Sequence, residues 1–369
     1  MLNFSRVLRT ARAAAAFIVA ASPSYGQESS TIKISDVSKM TLPKQVEIFP
    51  PGGPLETAFS GGCGVMEGMA SADDGRVFFT EIMLSTACSD EAGVPGGRIW
   101  VYDTSSNQAR VFREPSNMAA GLSIDSKGGL LAAEGADFGG RRVSRTDLAT
   151  GEYRVLAYLF ENRQLNAPND VTVDKKGRIY FSDIRMFGPE NIEQRISGVY
   201  RIDPPVAGRK GLRPLTRIVA NDARINGVEI SPDQKTLYAG LCELGSTALD
   251  EQGVPDVPRN GPGGLLAFPL NEDGGVGRPR FLLDLENTGC LDGMAFDRKG
   301  NLYAAVNSSP ATRGIYVFSP TEQLIARYQL PNNEIALNVT FGTGRDASSL
   351  YISTLGIGKI YRLRGESAQ

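Results

Sequence analysis

Residues 170–181 read Asp-Val-Thr-Val-Asp-Lys-Lys-Gly-Arg-Ile-Tyr-Phe. The first part alternates apolar and polar residues, as a half-buried strand does. A turn of the Asp-Lys-Gly type follows, and the stretch ends in residues with high β-propensity. The stretch therefore predicts two strands joined by a tight turn.

The same two-strand sequence pattern occurs six times along the chain. A third strand follows each copy, and a fourth follows most of them. Six copies of four strands, repeated every ~40–50 residues, predict an all-β, six-bladed β-propeller. A two-sheet sandwich is the competing all-β architecture, but it gives no reason for six similar phrases. The copies begin at Gly64, Gly121, Asp170, Gly227, Gly293 and Asn338.

The last copy ends after its third strand, near Tyr361. A strand near Val46–Phe49 is well placed to supply the missing fourth strand. Such a pairing would close the ring and remove an open sheet edge. We therefore expect the propeller to span residues 44–365, after an N-terminal extension at residues 27–43.

The N-terminus has the layout of a signal peptide. Residues 1–26 carry Arg6, Arg9 and Arg12 and no acidic residue, then the apolar run Ala13–Ala21, then the small-residue stretch Ser22–Gly26. The apolar run is too short to span a bilayer, which needs about 20 apolar residues. The pattern predicts export to the periplasm or the medium; a disordered or buried N-terminal helix is the alternative.

The composition excludes several kinds of chemistry. The chain has 39 basic and 41 acidic residues in 369 and no basic block, which argues against nucleic acid and anionic membranes as partners. It has no histidine, which excludes Ser-His-Asp and Cys-His nucleophiles and His-ligated zinc. Catalysis must use carboxylates, amides, hydroxyls, Lys, Arg or a hard metal ion.

One position in each copy is expected to project into the mouth of the central channel, just before the innermost strand. Four of the six blades carry a carboxylate or an amide there, which is the donor set of a hard cation such as Ca²⁺, with Mg²⁺ and Mn²⁺ as alternatives. Each of the four residues alone is more often a turn residue than a ligand. Their common register favours a metal site. The positions are Glu67, Ala120, Asn169, Asn226, Asp292 and the pair Leu337-Asn338.

Several of these segments resemble those of the gluconolactonase / senescence marker protein (regucalcin-like) family. The resemblance covers about residues 60–362, and its more specific parts are the Pro-Asn-Asp and Asp-Gly-Met segments. The chain departs from the family where Met69 replaces a proline, where Leu291 replaces a proline, and where residues 132–136 lack a frequent histidine. The matching segments are 67–68, 166–171, 226–227, 292–295 and 338–342.

The resemblance implies a lactonase that hydrolyses sugar-acid lactones with one divalent cation, most often Ca²⁺, Zn²⁺, Mn²⁺ or Fe²⁺. By motif, the metal ligands are Glu67, Asn169, Asn226 and Asp292, the same set that the register gives. We expect Asp292 to act also as the general base. Asp170 either orients Asn169 from behind or caps a turn.

Export permits disulfides, and four cysteines allow three pairings. Cys63 and Cys290 precede first strands, whereas Cys88 and Cys242 follow second strands. All four positions fall on the face of the candidate metal site. We expect the pairs Cys63–Cys88 and Cys242–Cys290.

Two rival functions remain open from the sequence. One is hydrolysis of organophosphates or aryl esters at the same site, and the other is a non-catalytic binding propeller. The expected partner is a small-molecule lactone, and the expected assembly is a monomer or small homo-oligomer.

Overall fold

The computed structural model describes residues 31–37, 39–40, 55–62, 65–82, 96–135, 139–185, 190–209, 211–220, 224–242, 263–286 and 289–365. The predicted signal peptide, the predicted strand at residues 46–49, and the residues Cys63 and Cys88 lie outside these ranges.

Six antiparallel sheets follow one another along the chain and form the predicted six-bladed propeller. Blades 1 to 3 each contain four consecutive strands, which run in order from the channel outwards. Blade 1 contains β3 (Val65–Ser71), β4 (Arg76–Ile82), β5 (Arg98–Asp103) and β6 (Gln108–Arg113). Blade 2 contains β7 (Ala119–Ile124), β8 (Gly129–Glu134), β9 (Arg142–Asp147) and β10 (Tyr153–Ala157). Blade 3 contains β13 (Pro168–Val173), β14 (Ile179–Asp183), β15 (Gly198–Ile202) and β16 (Leu215–Ala220). A two-stranded ribbon, β11 (Leu159–Phe160) and β12 (Arg163–Gln164), precedes blade 3.

Blades 4 to 6 continue the ring. Blade 4 contains β17 (Ile225–Ile230), β18 (Thr236–Leu241), β19 (Gly264–Pro269) and β20 (Arg280–Asp284). Blade 5 contains β21 (Cys290–Phe296), β22 (Leu302–Asn307), β23 (Gly314–Phe318) and β24 (Leu324–Tyr328). Blade 6 contains β25 (Ala336–Phe341), β26 (Leu350–Thr354), β27 (Lys359–Leu363) and, at its outer edge, β2 (Leu55–Ser60). Short 3-10 turns at Pro331–Asn333 and Gly344–Asp346 flank β25.

The Asp-Lys-Gly turn works through the aspartate side chain. In blade 3, Asp174 Oδ1 accepts hydrogen bonds from the backbone N–H groups of Lys176 and Arg178, both at 2.9 Å. Gly177 has φ +77°, a left-handed conformation that favours glycine. Asp125 and Asp297 accept the equivalent pairs of bonds in blades 2 and 5. Each of these three copies of the two-strand segment therefore contains an Asx-type turn between its strands.

The ring closes in blade 6, where an N-terminal strand pairs with the last strand of the chain. The closing strand is β2, whose Leu55 lies opposite Leu363 of β27. Glu56 on β2 also forms ion pairs with Arg362 and Arg364. The prediction of closure by an N-terminal strand is confirmed. The predicted identity of that strand is wrong, because Leu55–Ser60 takes the place expected for residues 46–49.

The N-terminal extension is packed against blade 4. Strand β1 (Ile32–Lys33) pairs in parallel with β20, and the short helix α1 (Ile34–Val37) follows it. Ile34 and Val37 are buried in the cluster between blades 4 and 5. No helix within the described ranges is long and apolar enough to cross a membrane.

Apolar side chains fill the interface between each pair of neighbouring blades. One such cluster combines Tyr180 and Val199 of blade 3 with Leu237 and Leu266 of blade 4. Five other clusters lie at the remaining interfaces, so the core is itself a ring. This arrangement fixes the inner strands around one axis.

Each inner strand contains a bulge at the same point of its ladder. In β17, for example, the register with β18 shifts between Ile225 and Val228, which leaves Asn226 and Gly227 outside the regular pairing. The other five inner strands shift at equivalent places. A bulge re-aims the side chains that it contains.

The second residue of the bulge is glycine in four blades because the next blade approaches it closely. A Cβ on Gly227 would lie 2.1 Å from the backbone oxygen of Asp292, and one on Gly68 would lie 2.1 Å from that of Ala120. Such distances are far below van der Waals contact. The bulge glycines thus allow the blades to meet around the channel.

We expect Gly227→Ala to lower the free energy of unfolding by about 1–3 kcal/mol, because the added methyl group must push blades 4 and 5 apart. Urea denaturation would measure this loss. Gly277→Ala is the matched control, since its Cβ would meet only the Pro269 side chain at 3.4 Å. Equal stability of the two variants would contradict the argument.

Candidate metal centre

The first residue of each bulge is the residue that the sequence repeat places at the channel mouth. The set is Glu67, Ala120, Asn169, Asn226, Asp292 and Leu337. The sequence predicts these residues just before the inner strands, and this prediction is wrong. They lie inside the strands, since pairing with the second strand begins before the bulge and resumes after it.

Two carboxylates that are far apart in the sequence meet at the level of the bulges. Glu67 of blade 1 and Asp292 of blade 5 are both only 7% exposed, and their side chains share a hydrogen bond. Burial raises the pKa of Glu67 above its ordinary value. Burial, together with the negative charge of Glu67, raises the pKa of Asp292 well above its ordinary value. The pair needs a shared proton or a cation to remain buried together.

Asn226 of blade 4 is the third member of this group. It is 2% exposed, and its side chain hydrogen-bonds to Asp292. Its Nδ2 also donates to Cys290 Sγ at 3.4 Å. Its Oδ1 is buried and has no hydrogen-bond partner among the described residues. An unpartnered buried acceptor costs about 1–3 kcal/mol, so it indicates a missing donor or cation.

Asn338 of blade 6 also reaches the group, although the ligand set from the sequence omits it. Its side chain hydrogen-bonds to Glu67, and its Oδ1 accepts from the Val339 N–H at 2.8 Å. The signal was available, since Asn338 occupies the bulge position where four other blades have glycine. Asn169 lies at its predicted level in blade 3 and is partly exposed. Within the described ranges, the amides that hydrogen-bond to the acidic pair are Asn226 and Asn338.

Asp170 occupies the same bulge position in blade 3 that Asn338 occupies in blade 6, the opposite blade. Its carboxylate accepts from the N–H of Val171 at 2.9 Å and from the N–H of Val228 at 2.8 Å. The bond from Val228 ties blade 3 to blade 4. Burial, opposed by these two bonds and reinforced by the charge of Glu67, raises its pKa to about 8.

The donor set fits a hard divalent cation. It consists of oxygen atoms only, with two carboxylates, and one of its amide oxygens is buried without a partner. Among the described residues, no three Cys, Asp or Glu side chains are grouped to bind a metal. Amide oxygens therefore have to complete any site at this position.

The disulfide Cys242–Cys290 is present, as the sequence predicts. It joins the residue after β18 of blade 4 to the first residue of β21 of blade 5. Its loop spans 48 residues, and the chain-entropy model assigns such a loop about 4 kcal/mol of stabilisation. The pair Cys63–Cys88 lies outside the described residues.

Beside the bulges, residues of all six inner strands line a cavity of about 190 Å³. Glu229 is the carboxylate that lines it together with Asp170. Glu229 Oε1 accepts from Thr172 Oγ1 at 3.0 Å and from the Ile230 N–H at 2.8 Å. Burial outweighs these bonds and raises the pKa of Glu229 to about 7.

Residues 67–356 match the family described as SMP-30/Gluconolactonase/LRE-like region. The chain belongs to this family. A curated relative, a gluconolactonase from Zymomonas mobilis, is 28% identical over 253 residues, which cover 66% of this chain and 62% of the relative. The chain therefore spans less than two thirds of that relative's length.

Solved structures show the same fold. A gluconolactonase from Xanthomonas campestris superposes with a TM-score of 0.65 at 23% identity, covering 86% of this chain and 91% of its own. A luciferin-regenerating enzyme superposes with a TM-score of 0.58 at 16% identity, covering 86% of this chain and 98% of its own. At these identities, the likeness establishes the architecture and not the substrate.

We expect Glu229→Gln to make the free energy of unfolding less dependent on pH. A carboxyl whose pKa is raised by folding, in this case from 4.5 to about 7, stabilises the fold below pH 4.5. That contribution, on the order of 3 kcal/mol, is lost as the pH rises to about 7. Glutamine keeps the acceptor and removes the titration.

Urea denaturation at pH 5 and pH 8 measures the effect as a difference between the variant and the unmodified protein. The variant should gain stability relative to the unmodified protein at pH 8. A pH-independent difference would show that Glu229 does not titrate in this range.

Proposed function

We propose that the protein is an exported, metal-dependent hydrolase that opens sugar-acid lactones. The observation that carries the proposal is the buried contact of Glu67 with Asp292 beside the unpartnered Oδ1 of Asn226. Membership of a family that includes gluconolactonases supports the substrate class. The absence of histidine leaves carboxylates as the basic groups available near neutral pH.

Glu67, Asn169, Asn226 and Asp292 would hold one divalent cation, with Ca²⁺ as the first candidate and Zn²⁺, Mn²⁺, Mg²⁺ and Fe²⁺ as alternatives. When bound, such an ion polarises a carbonyl group and lowers the pKa of water. Glu67 and Asp292 supply the negative charge, and the two amides add neutral oxygen atoms. Asn338 fixes the Glu67 carboxylate by its hydrogen bond.

Asp292 is the general base in this mechanism. It takes a proton from the water that attacks the lactone carbonyl carbon, and it returns that proton to the ring oxygen as the ring C–O bond breaks. The product leaves as a neutral hydroxy acid, whose carboxyl group then releases its proton to the solvent. Burial of Asp292 excludes bulk water, so the protonated carboxyl delivers its proton to the leaving oxygen.

A screen of lactones and esters with a pH indicator tests this proposal. Chelated protein should be inactive, and one of Ca²⁺, Zn²⁺, Mn²⁺ or Fe²⁺ should restore the hydrolysis of aldonolactones. Preference for organophosphates or aryl esters would change the substrate class. Metal binding without any turnover would favour a binding propeller instead.

Asp292→Ala is the variant for the same assay. We expect it to lower kcat by roughly 10³-fold or more while the fold is retained, because it removes both the base and a ligand. Asp73→Ala is the matched control, since Asp73 is an exposed turn residue of blade 1. Near-normal turnover in a folded Asp292→Ala protein would refute the role.

The export proposal rests on the basic, apolar and small-residue order of residues 1–26. We expect the exported protein to begin close after residue 26, and N-terminal sequencing of protein recovered outside the cytoplasm would show this. An intact Met1 on that protein would contradict cleavage.

A further inference from the structure

The disulfide Cys242–Cys290 lies directly behind the candidate metal centre. Cys290 precedes Asp292 by two residues on β21, and the Cys242 N–H donates to the Arg224 carbonyl at 2.8 Å, two residues before Asn226. One covalent bridge therefore joins the backbone segments that lead to Asn226 and to Asp292. These segments belong to different blades.

The bridge also contacts the Asn226 side chain. Asn226 Nδ2 donates to Cys290 Sγ, and this contact leaves Oδ1 as the buried atom without a partner. A disulfide sulfur can only accept a hydrogen bond, whereas a thiol can both accept and donate. Facing the disulfide, the amide is favoured with its NH₂ group toward sulfur, which leaves Oδ1 as the atom available to a cation.

A reduced Cys290 would remove this preference. Its S–H could donate to Oδ1, which would allow the amide to rotate and present its NH₂ group to the site. An NH₂ group cannot bind a cation. Reduction would also break the covalent link that holds Asn226 and Asp292 at a fixed separation.

We infer that Cys242–Cys290 is a positioning element for the metal centre, which orients the Asn226 amide and holds it beside Asp292. This inference rests on the proposed function, because it assigns the bridge a role in cation binding. The bridge itself does not touch the substrate. Its removal should weaken cation binding even in protein that remains folded.

Calorimetric titration with Ca²⁺ tests the inference, since Ca²⁺ prefers the oxygen ligands of the candidate centre. The unmodified protein is compared with Cys242→Ser/Cys290→Ser, at a temperature well below the melting point of both. We expect the dissociation constant to rise at least 10-fold in the double variant. An unchanged constant in the folded double variant would overturn the inference.

Loss of the bridge could weaken cation binding by freeing the Asn226 amide to rotate or by loosening the whole site. A double-mutant cycle with Asn226→Asp distinguishes these two effects. A carboxylate presents oxygen in either orientation, so removal of the bridge should cost less affinity in the Asn226→Asp background. An equal loss in both backgrounds would overturn the role of the amide. If the serine variants do not fold, reduction with a phosphine replaces them. The unmodified protein and Asn226→Asp are then each compared before and after reduction, and their free thiols are counted.

The failure of the proposed function is distinguishable from that of the inference. Unmodified protein that binds none of Ca²⁺, Mg²⁺, Mn²⁺, Zn²⁺ and Fe²⁺ would overturn both. Unmodified protein that binds Ca²⁺ with an affinity independent of the bridge would overturn the inference alone.

Discussion

The close approach of six inner strands around one axis is the constraint on which the rest of this structure depends. Where the strands bulge, neighbouring blades come so near that four of the six positions have no room for a Cβ atom. The two exceptions, Asp170 and Asn338, lie on opposite blades, and the glycines before them, Gly121 and Gly293, leave space for their side chains. Each exception uses this space to hydrogen-bond to the blade that follows it. The packing of the ring and the polarity of the channel thus have one origin.

The same constraint creates an electrostatic problem. It brings Glu67 and Asp292 together in a place that water hardly reaches, and Asp170 and Glu229 line the cavity beside them. The charges of Glu67 and Glu229 raise the pKa of Asp170, and the charges of Glu67 and Asp170 raise that of Asp292. A proton or cation bound by Glu67 would therefore reduce both shifts. In the proposed metal centre, a cation beside the unpartnered Oδ1 of Asn226 would offset the negative charge of Glu67 and Asp292.

The repeat pattern could predict the architecture because turn chemistry and strand alternation are local properties. The Asp174 turn and its equivalents are readable from a few residues, and so is the register that aligns Glu67 with Asp292. The bulges were not readable, since they depend on which backbone groups pair across two strands. The repeat does align Asn338 with the glycines of four other blades, but its contact with Glu67 depends on the packing of blade 6 against blade 1. The location of β1 on blade 4 depends on tertiary packing, for which the sequence carries no local signal.

The pairing of Leu55 with Leu363 has a consequence for biosynthesis. The closing strand leaves the ribosome early and then waits for a partner that is synthesised roughly 300 residues later, which takes about 15–60 s at ordinary elongation rates. Joining ends so far apart costs about 5 kcal/mol of loop entropy. A nascent chain of this kind cannot complete its native ring during translation, because the ring closes only when its last strand has been released.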